Sequence, residues 1–242
     1  MPFQPFVDLS DTHPALAHSP VVRGLTKTFS YLEENGPIGL TPSGNLKRVF
    51  VTWAAEAFDW PGHRPDDLYA VNKVLNEWDF FPLAELHDIM LALKIGRHFK
   101  GEFRLTPFGK TFVGQPGRLI GLVAPFYLFR VDHARNSRLK EERLLGSWEI
   151  FLNVINVEAE GGVTAERLRE ALYGPPDPGP RNDPIVGQLY VEVLRPLCWL
   201  GMLQVVGEQR MTSPDNLYAK TPLWYAALRL ETDASLLPIV KH

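Results

Sequence analysis

The sequence predicts an α+β fold, mostly α-helical, in two tandem units that each end in a short β-hairpin. Apolar residues recur at helical spacing in segment after segment. The 19 glycines and 21 prolines punctuate the 242 residues densely enough to keep the elements short. The order helix, helix, helix, hairpin occurs twice along the chain, which is long enough for two domains of ordinary size.

Residues 1–19 hold Pro2, Pro5 and Pro14 with little periodicity and read as an extended arm running up to Pro20. Val22, Leu25, Phe29 and Leu32 share one helical face, and Asn35-Gly36-Pro37 stops that helix. After Ile38-Gly39-Leu40, Thr41 or Ser43 is expected to cap a helix through Leu46, Phe50, Trp53 and Ala57, ended by Asp59-Trp60-Pro61-Gly62. Asp66 to Trp78 is expected to add a short helix. Leu83, Leu86, Ile89, Met90 and Leu93 mark a third main helix, stopped by Gly96, with Glu85, His87 and Asp88 expected on its exposed side. Arg97 to Thr106 reads as a hairpin, with Phe99, Phe103 and Leu105 alternating about Gly101.

In the second half a helix is expected from Leu144 to Val157, including Leu145, and Gly161-Gly162 ends it. A short helix from Ala165 to Leu172 is capped by Thr164, and a longer one runs from Asp183-Pro184 to Leu197 with a bend at Pro196. Gly201 to Val206 and Leu217 to Lys220 form the second hairpin, followed by a closing helix from Pro222 to Leu230. Thr-Pro stands where each hairpin turns into a helix, at Thr106-Pro107 and Thr221-Pro222, and again at Thr41-Pro42. A Thr cap with Pro at the first helical position explains all three. The element order is that of a winged helix, with a two-stranded wing after the third helix and a short strand between the first two.

Residues 31–46, YLEENGPIGLTPSGNL, resemble a recurring bacterial segment of the form YLxxxGPIxLTxxGNL, found in poorly characterised proteins with winged-helix-like parts. The resemblance implies no activity and transfers no functional residue. The domains expected are an arm at 1–19, a first winged-helix-like unit with its following apolar helix at 20–137, and a second at 138–242. The polar stretch 132–138 is the expected boundary. The Pro/Gly-rich stretch 174–184 is expected to be a surface loop within the second unit.

No catalytic, cofactor or metal motif is present. The histidines at 13, 18, 63, 87, 98, 133 and 242 lack metal-ligand spacing, and adjacent His87-Asp88 point apart on a helix. Cys198, the single cysteine, lies in an apolar context suited to core packing and a reducing compartment. The longest apolar run, Leu119 to Phe129, is shorter than the roughly 20 residues a bilayer requires. It is expected to be a buried helix with Leu122 in the core. No basic and apolar leader opens the sequence, so a cytoplasmic protein is expected.

Charge is unevenly placed. Residues 1–93 carry net −6, residues 94–143 net +7 and residues 144–242 net −4. The basic block holds Lys94, Arg97, His98, Lys100, Arg104 and Lys110 in and around the first wing, then Arg130, Arg135, Arg138, Lys140 and Arg143. A wing meets phosphates while a third helix reads bases. The expectation is a non-enzymatic regulatory protein that contacts double-stranded DNA through Lys94, Arg97, His98, Lys100, Arg104 and Lys110. Two other readings stay open. One is a protein-interaction or scaffold module that docks through winged-helix surfaces. The other is a ligand-responsive sensor with a pocket at the unit junction, lined by Trp53, Trp60, Trp78 and Trp148.

Overall fold

The computed structural model describes residues 3–135, 143–175, 183–207 and 216–236. The chain is α+β, mostly helical with small antiparallel sheets. It divides into two compact units, one of Leu9–Val123 and one joining Met1–Asp8 to Ala124–His242.

In the unit Leu9–Val123, a 3₁₀ turn at Pro14–His18 puts one turn of helix into the expected arm. Ser19 caps α1 (Pro20–Asn35), its hydroxyl accepting from the Val22 amide at 3.2 Å. Val21, Val22, Leu25 and Phe29 bury the predicted face, and Gly36 at φ 79° ends the helix. After β1 (Ile38–Gly39), neither Thr41 nor Ser43 caps a helix. Thr41 closes a tight turn on Asn45 instead, donating its amide to the Asn45 carbonyl at 2.8 Å and accepting the Asn45 amide on Oγ1 at 3.1 Å. α2 (Arg48–Ala57) therefore starts later, behind Lys47.

The segment 66–78 is helical only in α3 (Pro65–Tyr69) and at the start of a 3₁₀ turn, Glu77–Asp79. Val71 and Val74 stand exposed, so no apolar face sustains a longer helix there. α4 (Phe81–Ala92) is buried on almost every side. It ends at Leu93, with Lys94 at φ 57°, rather than at Gly96. Gly96 has a packing role: a Cβ there would lie 2.0 Å from the Phe103 ring. β2 (Gly96–Phe99) and β3 (Glu102–Leu105) form the hairpin. β1 pairs with β3, giving an antiparallel sheet of order β1-β3-β2. The core gathers Tyr31, Phe50, Trp53, Phe58 and Phe80 in successive ring contacts of 4.6 to 6.1 Å. Trp60 is fully buried, whereas Trp78 is half exposed.

α5 (Pro107–Lys110) leads into α6 (Pro116–Arg130), the predicted apolar helix, and the division between the units falls inside it. Leu119, Ile120, Val123, Ala124, Tyr127 and Leu128 are buried, and Leu122 is only partly so. No helix among the described residues is long and apolar enough to cross a membrane.

In the other unit α7 (Trp148–Glu158) begins at a Ser147 cap, after Gly146 at φ 144°. Leu144 and Leu145 thus lie outside the helix, and Leu145 is 83% exposed. Val163 bridges to Tyr218, and Thr164 caps α8 (Ala165–Tyr173). α9 (Pro184–Leu189), a π-helical turn at Tyr190–Leu194 and α10 (Arg195–Leu200) follow without a break. Pro196 has no amide to donate and its ring crowds the turn before it, which accounts for the widened turn at the expected bend. β4 (Leu203–Val206) pairs antiparallel with β5 (Leu217–Lys220), then come α11 (Pro222–Ala227) and α12 (Asp233–Leu236). Only parts of the loop expected at 174–184, and of the segment 207–216 between the strands of the second hairpin, lie among the described residues. Lys220 is buried and donates to the Asn156 carbonyl at 2.8 Å, while Trp224 donates its indole N–H to Asn156 Oδ1 at 2.9 Å.

The two units share one local device. In the first, the Thr106 amide donates to the Ile95 carbonyl at 2.9 Å and its hydroxyl to the Lys94 carbonyl at 2.7 Å. In the second, the Thr221 amide donates to the Met202 carbonyl at 3.0 Å and its hydroxyl to the Gly201 carbonyl at 2.5 Å. Lys94 and Gly201 both have left-handed backbones, at φ 57° and 80°. Each Thr therefore latches the end of a hairpin to the end of the helix before it. A short extended piece between the first two helices, β1 or Val163, pairs with the second hairpin strand in both units.

Candidate nucleic-acid interface

The first hairpin is closed by Lys100 and Gly101, at φ 51° and 76°, with Phe99 directly opposite Glu102. Two left-handed residues in a two-residue loop make the turn whose twist matches that of the strands. This fixes the register: Arg97 faces Arg104 and His98 faces Phe103. Phe99 lies on the same side as Arg97, not with the buried Phe103. The expected alternation of Phe99 with Phe103 and Leu105 is therefore corrected by the tightness of the turn.

Phe99 is 42% exposed and collects three cations. The Arg97 guanidinium, Lys100 ammonium and Arg104 guanidinium lie 5.3, 5.4 and 5.8 Å from its ring centre. Arg104 is partly neutralised by Glu102, with Nη2 to Oε2 at 2.6 Å. Arg97, Lys100 and Lys110 enter no ion pair among the described residues. Arg97 and Arg104 stand directly opposite each other, and like charges so placed oppose strand pairing. With Lys110 they line an open concavity of about 580 Å³, whose other walls include Leu32, Glu33, Pro37 and Pro107.

The structure thus brings together Arg97, Lys100, Arg104 and Lys110. Lys94, exposed at the end of α4, touches neither the Phe99 ring nor the concavity. His98 points to the other face of the hairpin, its Nε2 2.9 Å from His87 Nε2. Desolvation and then the His87 ring hold His98 below the usual imidazole pKa, against the pull of Glu77. The expected exposed side of the third helix is overturned. Glu85 and His87 are 6% and 5% exposed and Asp88 is half-buried, because α4 packs on nearly all sides. In the later basic stretch, Arg143 is held by Asp132 through two contacts of 2.6 Å, and this keeps the Asp132 carboxyl below the ordinary range. Arg138 and Lys140 lie outside the described residues.

Sequence reasoning counted Phe99 as hairpin filling and missed it as the centre of the cationic group. The signal was the strand parity of Arg97-His98-Phe99, readable once Lys100-Gly101 is taken as a two-residue turn. Elsewhere, burial pushes the Cys198 thiol up to about 12, which keeps it protonated. Among the described residues no group of three or more His, Cys, Asp or Glu could hold a metal ion.

Comparison with known proteins places these features in a family. Residues 17–118 match the Y4jL N-terminal domain, and residues 137–222 match the y4jL C-terminal domain. The segment 31–46 lies inside the first match. The chain is 43% identical over 157 residues to "Uncharacterized protein y4jL" of Sinorhizobium fredii (strain NBRC 101917 / NGR234), covering 65% of this chain and 71% of that protein. No solved structure matches. On these matches the chain belongs to the Y4jL family, with both of its domains represented.

Proposed function

We propose that this protein is a non-enzymatic regulatory protein that contacts the backbone of double-stranded DNA through its first hairpin, acting as the wing of a winged-helix-like unit. The observation that carries the reading is the grouping of Arg97, Lys100 and Arg104 around the exposed Phe99. Two guanidiniums opposite each other, of which only Arg104 is paired with a carboxylate, disfavour the free hairpin, and a phosphate between them relieves that repulsion. The winged-helix reading is supported by a short extended piece, β1 in one unit and the isolated bridge of Val163 in the other, that pairs with the second hairpin strand, and by the shared Thr latch.

Duplex binding followed by fluorescence anisotropy across salt tests the reading. The slope of log K against log salt should become shallower by roughly 0.9 for each phosphate contact removed. The combined change Arg97→Ala, Lys100→Ala, Arg104→Ala is expected to show this. No binding to random duplex at roughly 50 mM salt, where non-specific attraction is strong, overturns it. A second reading, a protein-docking module, is favoured by the exposed Tyr69, Val71, Val74 and Trp78 in the same unit.

A further inference from the structure

Glu77, His87 and His98 form a chain that DNA contact does not use. Glu77 comes from the 3₁₀ turn before α4, His87 from α4 and His98 from β2. Glu77 and His87 are 3% and 5% exposed. Glu77 Oε2 accepts the Leu46 amide at 2.5 Å, and its Oε1 accepts from His87 Nδ1 at 2.6 Å. A carboxylate acceptor fixes the His87 proton on Nδ1 and leaves a lone pair on Nε2. That lone pair faces His98 Nε2 at 2.9 Å.

A buried carboxylate that orients one imidazole nitrogen and leaves the lone pair of the other available is the arrangement metal-binding histidines use. Two imidazole nitrogens side by side on one ion, each bonded at about 2.0–2.1 Å, lie roughly 2.9–3.4 Å apart. We propose that His87 Nε2 and His98 Nε2 form a two-point site for a divalent transition metal ion of the imidazole-preferring class, such as zinc or copper. Glu77 holds the His87 ring, and water completes the coordination. Without the ion, His98 donates its Nε2 proton to His87. Loading the ion requires that proton to pass by way of solvent to His98 Nδ1, so both Nε2 lone pairs face the metal and no proton is lost overall. Gly44 lies beside that edge of the ring: a Cβ there would stand 3.5 Å from His98 Cε1 and 3.8 Å from Nδ1, at ordinary contact distance.

With no third protein ligand among the described residues, the site is open and its ion exchangeable. Micromolar affinity is expected, with copper above zinc and magnesium not bound. The ion would tie β2, which carries Arg97 and Phe99, to α4. The site stands independently of the DNA-binding reading, and either can fail alone.

Calorimetric titration of the full chain with zinc or copper is expected to give one saturable site. His98→Ala, at an exposed strand position, should weaken it at least tenfold, while His63→Ala leaves it unchanged. In imidazole nitrogen NMR the His87 and His98 signals should move together on zinc addition, and those of His133 should not. Absence of saturable binding up to about 1 mM zinc or copper overturns the proposal. So does binding that survives His98→Ala undiminished, or zinc shifts that spare His87.

Discussion

His133 shows how one buried imidazole makes stability depend on pH. Its Nε2 donates to the Tyr127 carbonyl at 2.8 Å, and it lies against the Tyr127 ring at 4.7 Å. Burial pushes its pKa down to about 4, the Tyr127 hydrogen bond opposes this, and nearby Arg195 adds to it. The unfolded chain binds this proton below about pH 6.5. The folded chain refuses it until about pH 4. The contribution is therefore fully present above pH 6.5 and is lost as pH falls toward 4, by at most about 1.4 kcal/mol per unit. His133→Asn keeps a donor and cannot titrate. Urea denaturation at pH 7 and pH 4.5 should show the wild type losing about 2 kcal/mol more than this variant. Equal losses in the two proteins would place the acid sensitivity in other groups. None of this was legible in the sequence, where His133 is one of seven scattered histidines. Glu85 and His87 were misread for a related reason. A polar residue on an amphipathic pattern reads as exposed, and the Glu77 that satisfies His87 sits ten positions earlier, outside any helical spacing.

Elements were legible where a local signal sets them and missed where a distant partner does. Gly36 stops α1 and Thr164 caps α8 as the sequence predicts, because caps and stops are chemistry within one turn. Thr41 failed as a cap because Asn45 offered its hydroxyl and amide another partner. The hairpin faces needed the turn type: a two-residue loop puts Phe99 among the arginines, and one residue more would have turned it to the core. The latch at Thr106 depends on Gly109, whose amide donates to Thr106 Oγ1 at 2.9 Å. A Cβ at Gly109 would lie 2.0 Å from the Ile95 carbonyl oxygen, which is backbone and cannot swing aside. Gly109→Ala is expected to cost about 2 kcal/mol or more, through displaced backbone and a weakened cap. Gly101→Ala meets nothing within 4 Å and carries only the strain of φ 76°, about 1 kcal/mol. Denaturation midpoints ranking the two variants the other way round would mean that turn geometry, not the latch, governs the hairpin.

At the scale of the whole molecule, a net charge of −3 conceals a +7 block between acidic flanks, so the proposed attraction to a polyanion would be local and steeply dependent on salt. With Glu85 and His87 buried, α4 offers neither side chain to base edges, and on the proposed reading the phosphate contacts of the hairpin's cations would position without specifying. Binding should therefore vary little with duplex sequence, by less than the roughly 1–3 kcal/mol that one base-specific contact contributes. Enrichment of a single motif from a random duplex pool would contradict that and assign readout to another surface. The same electrostatics fixes the sign of one further change. Glu102 holds Arg104 in an exposed pair of the kind worth about 0.2–1 kcal/mol. Glu102→Gln frees that guanidinium and removes a charge that repels phosphate, so affinity at low salt should rise, by up to about fivefold on that energy. A fall in affinity instead would mean that Glu102 holds Arg104 in its binding position, and the hairpin's contribution would then rest on its geometry rather than on its charge.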